Sequence, residues 1–198
     1  MGAALDANLG RMPVLDCPEG TIGQSAAINY YVAAECGMLG ASTFEAAQIM
    51  SFAEHIKELR SAYTSLVPYG TEPSKEAIKT FFESKEATDY TGPADGSKRS
   101  SRMLLWFMGR MERLLGDDGF AVGGKMSLAD VLLYNTFADT LVSDSDMPAH
   151  RKEPFGSLKK VDAALKKHPK LTACIASVAA HPAVKEWLKT RNERPYKF

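Results

Sequence analysis

Gln24 and Ser25 stand together at the head of the apolar stretch Ala26-Ala27-Ile28, which reads as the start of a helix. An amide and a hydroxyl at a helix N-terminus can hold a carboxylate, because the unpaired backbone N–H groups and the helix dipole both favour an anion. Just upstream, Arg11-Met12-Pro13-Val14-Leu15 is a short apolar run broken by a proline. Proline cannot donate to a strand ladder, but a cis bond at its N-terminal side would set a bend. Cys17-Pro18-Glu19-Gly20 reads as a tight turn, so Thr21-Ile22-Gly23 can pair back on the first run. That pairing gathers a bent backbone, an amide, a hydroxyl and a helix start, a combination suited to a peptide-like ligand with a carboxylate.

Other chemistries find less support. His55, His150, His168 and His181 are scattered without metal-ligand spacing, so no metal site is expected. Cys17, Cys36 and Cys174 form no C-x-x-C pair and read as reduced thiols of a cytoplasmic protein. Ser143-Asp144-Ser145-Asp146 lacks the glycine turn and distal glutamate of a calcium loop. Lysine and arginine number 24, as do aspartate and glutamate, so no net charge draws the chain to nucleic acid or a membrane surface. No apolar run has the length of a membrane span. The start lacks the basic end and apolar middle of a secretory signal, and Asp6 stands where a myristoylation motif needs Ser or Thr.

The remaining pattern is helical. Two glycines in Gly37-Met38-Leu39-Gly40 end the first helix and divide the chain into a small portion, 1–40, and a larger one, 41–198. Phe44, Ile49, Phe52, Ile56, Leu59, Tyr63 and Leu66 recur at helical spacing, predicting one long amphipathic helix from about Thr43 to Val67. A shorter helix follows over Lys75 to Ser84, then a turn-rich stretch over 89–96. An apolar helix is predicted from about Ser97 to Leu115, with Lys98, Arg99 and Arg102 in its first turn. Ser127 and Asp130 form a variant capping box, which marks Asp130 as structural rather than catalytic. Further helices are predicted over Ser157 to Lys167, after His168-Pro169, and after His181-Pro182.

Taken together, Arg11 to Val32 resembles the second half of the thioredoxin-like domain of cytosolic glutathione transferases, nearest the sigma-like members. The helices after it resemble the family's helical domain, and Ser127-Leu128-Ala129-Asp130 resembles the folding box of its core helix. The resemblance implies a mainly α fold, with a truncated thioredoxin-like α/β portion followed by an all-α bundle. It implies that the backbone of Met12, before a cis Pro13, pairs with the cysteinyl part of glutathione, with Arg11 beside it. Gln24 and Ser25 then hold the γ-glutamyl carboxylate, and Glu58 reaches across a two-fold homodimer to the γ-glutamyl amine. A hydrophobic pocket between the domains is expected from Met103, Trp106, Phe107 and Phe198. Family members carry a strand, a helix and a strand before the Met-Pro segment, for which Met1 to Leu9 leave no room, so no position is assigned the thiol-activating role. The implied function is transfer of glutathione to small hydrophobic electrophiles, or their isomerisation, in detoxification. A non-catalytic binding or scaffold module is the alternative.

Overall fold

A computed structural model describes residues 3–84, 103–139 and 153–191. The turn-rich stretch 89–96, the basic residues 98, 99 and 102, the acidic loop 143–146, His150 and Phe198 lie outside them.

Pro18 and Glu19 form the tip of a hairpin whose strands are β1 (Val14–Cys17) and β2 (Gly20–Gly23). They pair antiparallel, with Val14 opposite Gly23 and Cys17 opposite Gly20. Across the strands the Thr21 hydroxyl donates to Asp16 Oδ1 at 2.7 Å. A 3-10 segment, Ala3–Asn8, lies against the end of the hairpin. Only glycine fits at position 23, because a Cβ there would sit 2.3 Å from the Ala7 carbonyl oxygen. Helix α1 (Ser25–Glu35) follows at once and ends in the positive-φ glycine Gly37.

The helical portion begins with α2 (Thr43–Leu66), capped by Ser42, whose hydroxyl accepts from Glu45 N at 3.2 Å. Its buried stripe is Ile49, Phe52, Ile56 and Leu59, the three-and-four spacing of one helix face. Helix α3 (Lys75–Glu83) contributes Phe81 and Phe82 to the core. Helix α4 spans Leu104–Leu114. The continuous helix expected from Ser97 does not run through Met103, which is extended at φ −91° and ψ −170° and is the N-cap of α4, its carbonyl accepting the first helical bond from Phe107 N at 3.0 Å. Helices α5 (Leu128–Phe137), α6 (Leu158–Leu165), α7 (Pro169–Ala180) and α8 (Pro182–Thr190) complete the described elements. The last two each open on a proline, whose missing N–H has no partner to lose in a first turn.

Helix α5 is the centre of the bundle and packs on both α2 and α7. Leu133 and Phe137 are fully buried there, and Phe137, Phe155, Phe81 and Tyr63 form a chain of ring contacts with neighbouring centroids 4.8–5.9 Å apart. Asp130, 0% exposed, holds the entry to α5. Its Oδ2 accepts from Ser127 N at 2.8 Å and Ser127 Oγ at 2.7 Å, and its Oδ1 accepts from Ala121 N at 2.7 Å. Burial pushes its carboxyl above the usual carboxylate range, against those hydrogen bonds, which pull it down. A second buried pair, Arg191 Nη1 to Asp139 Oδ1 at 2.6 Å, ties the end of α8 to the end of α5. Leu128 N donates to Met38 O at 3.0 Å, joining the small portion directly to the central helix. The molecule is thus mainly α, with a small thioredoxin-like portion at its N-terminal side.

Candidate ligand-binding cleft

The hairpin register decides what meets at the cleft. Because Val14 faces Gly23, the residues just outside the ladder are Pro13 on one strand and Gln24 on the other. The Met12–Pro13 bond is cis, and Met12 is 71% exposed. Asn8 Nδ2 donates to Pro13 O at 2.9 Å and braces this corner from behind. Asn8 itself is buried, and its Oδ1 has no partner among the described residues. Arg11 is exposed, its Nε reaching only the Asn8 carbonyl oxygen at 3.5 Å.

Gln24 is the N-cap of α1 but makes no side-chain cap. Its backbone stands at φ 70°, ψ 124°, a region costly for any residue with a Cβ and one where strain often accompanies function. Its amide and the Ser25 hydroxyl are exposed and have no hydrogen-bond partner among the described residues. The first N–H groups of α1 are likewise open to an anion.

Ser25 opens onto a cavity of about 240 Å³ between α1, α2 and α5. Ala26 and Asn29 line it from α1, Met50, Glu54, Lys57 and Arg60 from α2, and Leu128 and Leu132 from α5. Lys57 Nζ pairs with Glu54 at 3.1 Å. Arg60 Nη2 crosses to α5, donating to Asn135 Oδ1 at 2.6 Å and Thr136 Oγ1 at 2.9 Å. Partial desolvation there lowers the guanidinium pKa from its ordinary value.

Glu58 stands elsewhere. It lines a second cavity, of about 160 Å³, with His55 and Leu59 of α2 and Trp106, Phe107 and Arg110 of α4. Its carboxylate is 63% exposed and 3.9 Å from His55 Nδ1. Within one chain, Glu54 rather than Glu58 shares a cavity with Ser25. Of the residues expected to line a hydrophobic pocket, Phe107 is buried in the core, Met103 packs against it, and Trp106 lines the second cavity.

The Tyr31 hydroxyl donates to Glu19 Oε2 at 3.0 Å, and that bond, chiefly, pushes its pKa up to about 12. Its proton is therefore committed to a carboxylate. Replacing Glu19 by glutamine should return the Tyr31 ionisation toward about 10, which an ultraviolet pH titration between pH 9 and 13 would read. Cys17 Sγ donates to Gly20 O at 2.9 Å, and burial pushes the Cys174 thiol up to about 12, far from the thiolate form. Among the described residues no three His, Cys, Asp or Glu side chains gather as metal ligands, and no helix is long and apolar enough to cross a membrane.

Sequence reasoning singled out Arg11, Met12, Pro13, Gln24, Ser25 and Glu58; the first five lie on or beside the hairpin, whose register leaves Pro13 and Gln24 at one end, and Glu58 lines a different cavity. It missed Asn8, Asn29 and Arg60. Asn29 lies one helical turn beyond Ser25, a spacing that could have flagged it. Asn8 and Arg60 enter through tertiary packing and leave no local signal.

The comparisons agree with this architecture. A family model described as "Glutathione S-transferase, C-terminal domain" matches residues 75–191. S-crystallin SL11 of Nototodarus sloanii is 23% identical over 190 residues, covering 93% of this chain and 76% of the relative. A probable glutathione S-transferase 5 of Caenorhabditis elegans is 24% identical over 196 residues, covering 96% and 77%. Among solved structures, Na-GST-3 of the hookworm Necator americanus, described as a monomeric glutathione S-transferase, superposes with a TM-score of 0.68 at 22% identity. That match covers 98% of this chain and 80% of the hookworm protein. With its central capped helix, its small hairpin portion and more than half its length matched by the family model, the chain belongs to the glutathione S-transferase family.

Proposed function

We propose that this protein binds glutathione at the corner formed by Arg11, Met12, Pro13, Gln24 and Ser25, and that the adjoining cleft admits a small hydrophobic electrophile for conjugation or isomerisation. The observation that carries this reading is the Val14–Gly23 register, which leaves Pro13, with its cis Met12–Pro13 bond, and Gln24 flanking the same end of the ladder. The exposed backbone before Pro13 offers a strand-like edge to a tripeptide. The N-terminus of α1, with Gln24 and Ser25, offers donors to its γ-glutamyl carboxylate. In conjugation the glutathione thiolate attacks the electrophilic carbon, forming a carbon–sulfur bond as the leaving group departs or the double bond takes up a proton. Holding both reactants in one cleft supplies orientation. A cytoplasmic location and a detoxifying role fit this chemistry.

Glu58 serves a site in this reading only through a second copy, since its cavity is not the one Ser25 opens onto. We therefore assign it to a homodimer contact, supported by Leu114, which lines the same cavity as Glu58 and is 62% exposed. Sedimentation should give a dimer, and a monomer at micromolar concentration would remove Glu58 from the glutathione set. A second reading, a non-catalytic glutathione-binding or scaffold protein, is favoured by one observation. The Tyr31 hydroxyl is committed to Glu19 Oε2 at 3.0 Å, with its pKa pushed up to about 12. Glutathione with an aryl halide separates the two. Thioether formation above the uncatalysed rate supports the enzyme, and binding without turnover supports the scaffold.

A further inference from the structure

Asn8 ties together the two chain segments that flank the open end of the hairpin ladder. Its Nδ2 donates to Pro13 O at 2.9 Å, and its backbone carbonyl oxygen accepts from Arg11 N at 3.1 Å. The chain is thereby pinned to one residue both before and after Met12. Asn8 also lies against the second strand: a Cβ at Gly23, the residue before Gln24, would come within 2.7 Å of the Asn8 Cβ. Between the two pins, the backbone N–H and C=O of Met12 make no hydrogen bond to any described residue, and Met12 is exposed. A donor and an acceptor held at an open edge are what an extended peptide pairs with. Fixing them before the ligand arrives removes part of the ordering cost of binding.

Packing alone does not call for an amide at position 8. Asn8 is 3% exposed, and its Oδ1 is buried without a partner among the described residues. A leucine, branched in the same way, would avoid that cost. The amide can point only one way, since Pro13 O is an acceptor and must face the NH₂ group. What asparagine supplies and leucine lacks is the directed bond to Pro13 O. We propose that Asn8 is the positioning residue of this corner, holding Arg11 to Pro13 in the shape that receives the backbone of glutathione. It acts through Met12 and Pro13 rather than by touching the ligand. The inference rests on reading the corner as the glutathione site.

Asn8→Leu tests it, read by calorimetric titration with glutathione and by the amide resonances of protein carrying isotope-labelled methionine. The variant should unfold at a temperature close to that of the wild-type protein, yet bind glutathione about tenfold more weakly. In the ligand-free variant the Met12 amide resonance should broaden or split, while Met50, Met108 and Met111 of the helical portion keep theirs. A general loss of fold would not give that selective change. Affinity equal to the wild type, an unaltered Met12 resonance, or a variant that unfolds as a whole would each overturn the proposal. The same titration reads the wild-type protein: if it takes up no glutathione, the reading of the corner fails and this role with it. Unchanged binding by Asn8→Leu would instead remove Asn8 alone.

Discussion

Asp130→Ala should be among the most destabilising substitutions in this protein, costing about 3–5 kcal/mol in a urea or thermal unfolding experiment. The carboxylate is 0% exposed and serves three donors: Ser127 N, Ser127 Oγ and Ala121 N. Removing it orphans two buried backbone N–H groups, each costing roughly 1–3 kcal/mol, and leaves a void beneath the first turn of the central helix. An asparagine in place of the acid keeps one acceptor but turns an NH₂ toward a donor, so Asp130→Asn should recover only part of the loss. Ser127→Ala removes a single hydroxyl and should cost about 1 kcal/mol. Because α5 packs on both α2 and α7, the effect should appear as loss of the whole helical portion in one transition. A loss below about 1 kcal/mol for Asp130→Ala would contradict the role assigned to this residue.

Gln24→Ala should weaken glutathione binding by about 1–3 kcal/mol, a change of roughly five- to a hundredfold or more in Kd. The amide is exposed and unengaged, so its deletion takes nothing from the fold. Gln24→Gly sharpens the test. The native φ of 70° and ψ of 124° cost glutamine more than glycine, which has no Cβ to clash, so the glycine variant should melt higher while binding as poorly as the alanine variant. Opposite movements of stability and affinity would mark Gln24 as a residue held in strain for its ligand. If both variants bind glutathione as the parent does, the amide has no part in recognition.

The sequence was most legible where local chemistry decides structure. Two turn residues between short strands gave the hairpin, and Pro169 and Pro182 gave the starts of α7 and α8. The apolar spacing of Ile49 to Leu59 gave the buried face of α2, and Ser127 with Asp130 gave the start of α5. The break at Met103 was not legible, because methionine is a good helix former and its extended backbone answers to packing beyond its own segment. The cleft was half legible. Gln24 and Ser25 lie at a helix start that local rules can find. Arg60 meets Asn135 and Thr136 only because α2 and α5 pack together, and the buried Asn8 meets Pro13 only because the 3-10 segment folds over the hairpin. No periodicity encodes either meeting.

Calorimetric titration of the 198-residue chain with glutathione is the direct test of whether the corner between Met12 and Ser25 is a working glutathione site. Saturable binding that Gln24→Ala weakens is the expected result. A chain that is folded by circular dichroism yet takes up no glutathione would contradict it.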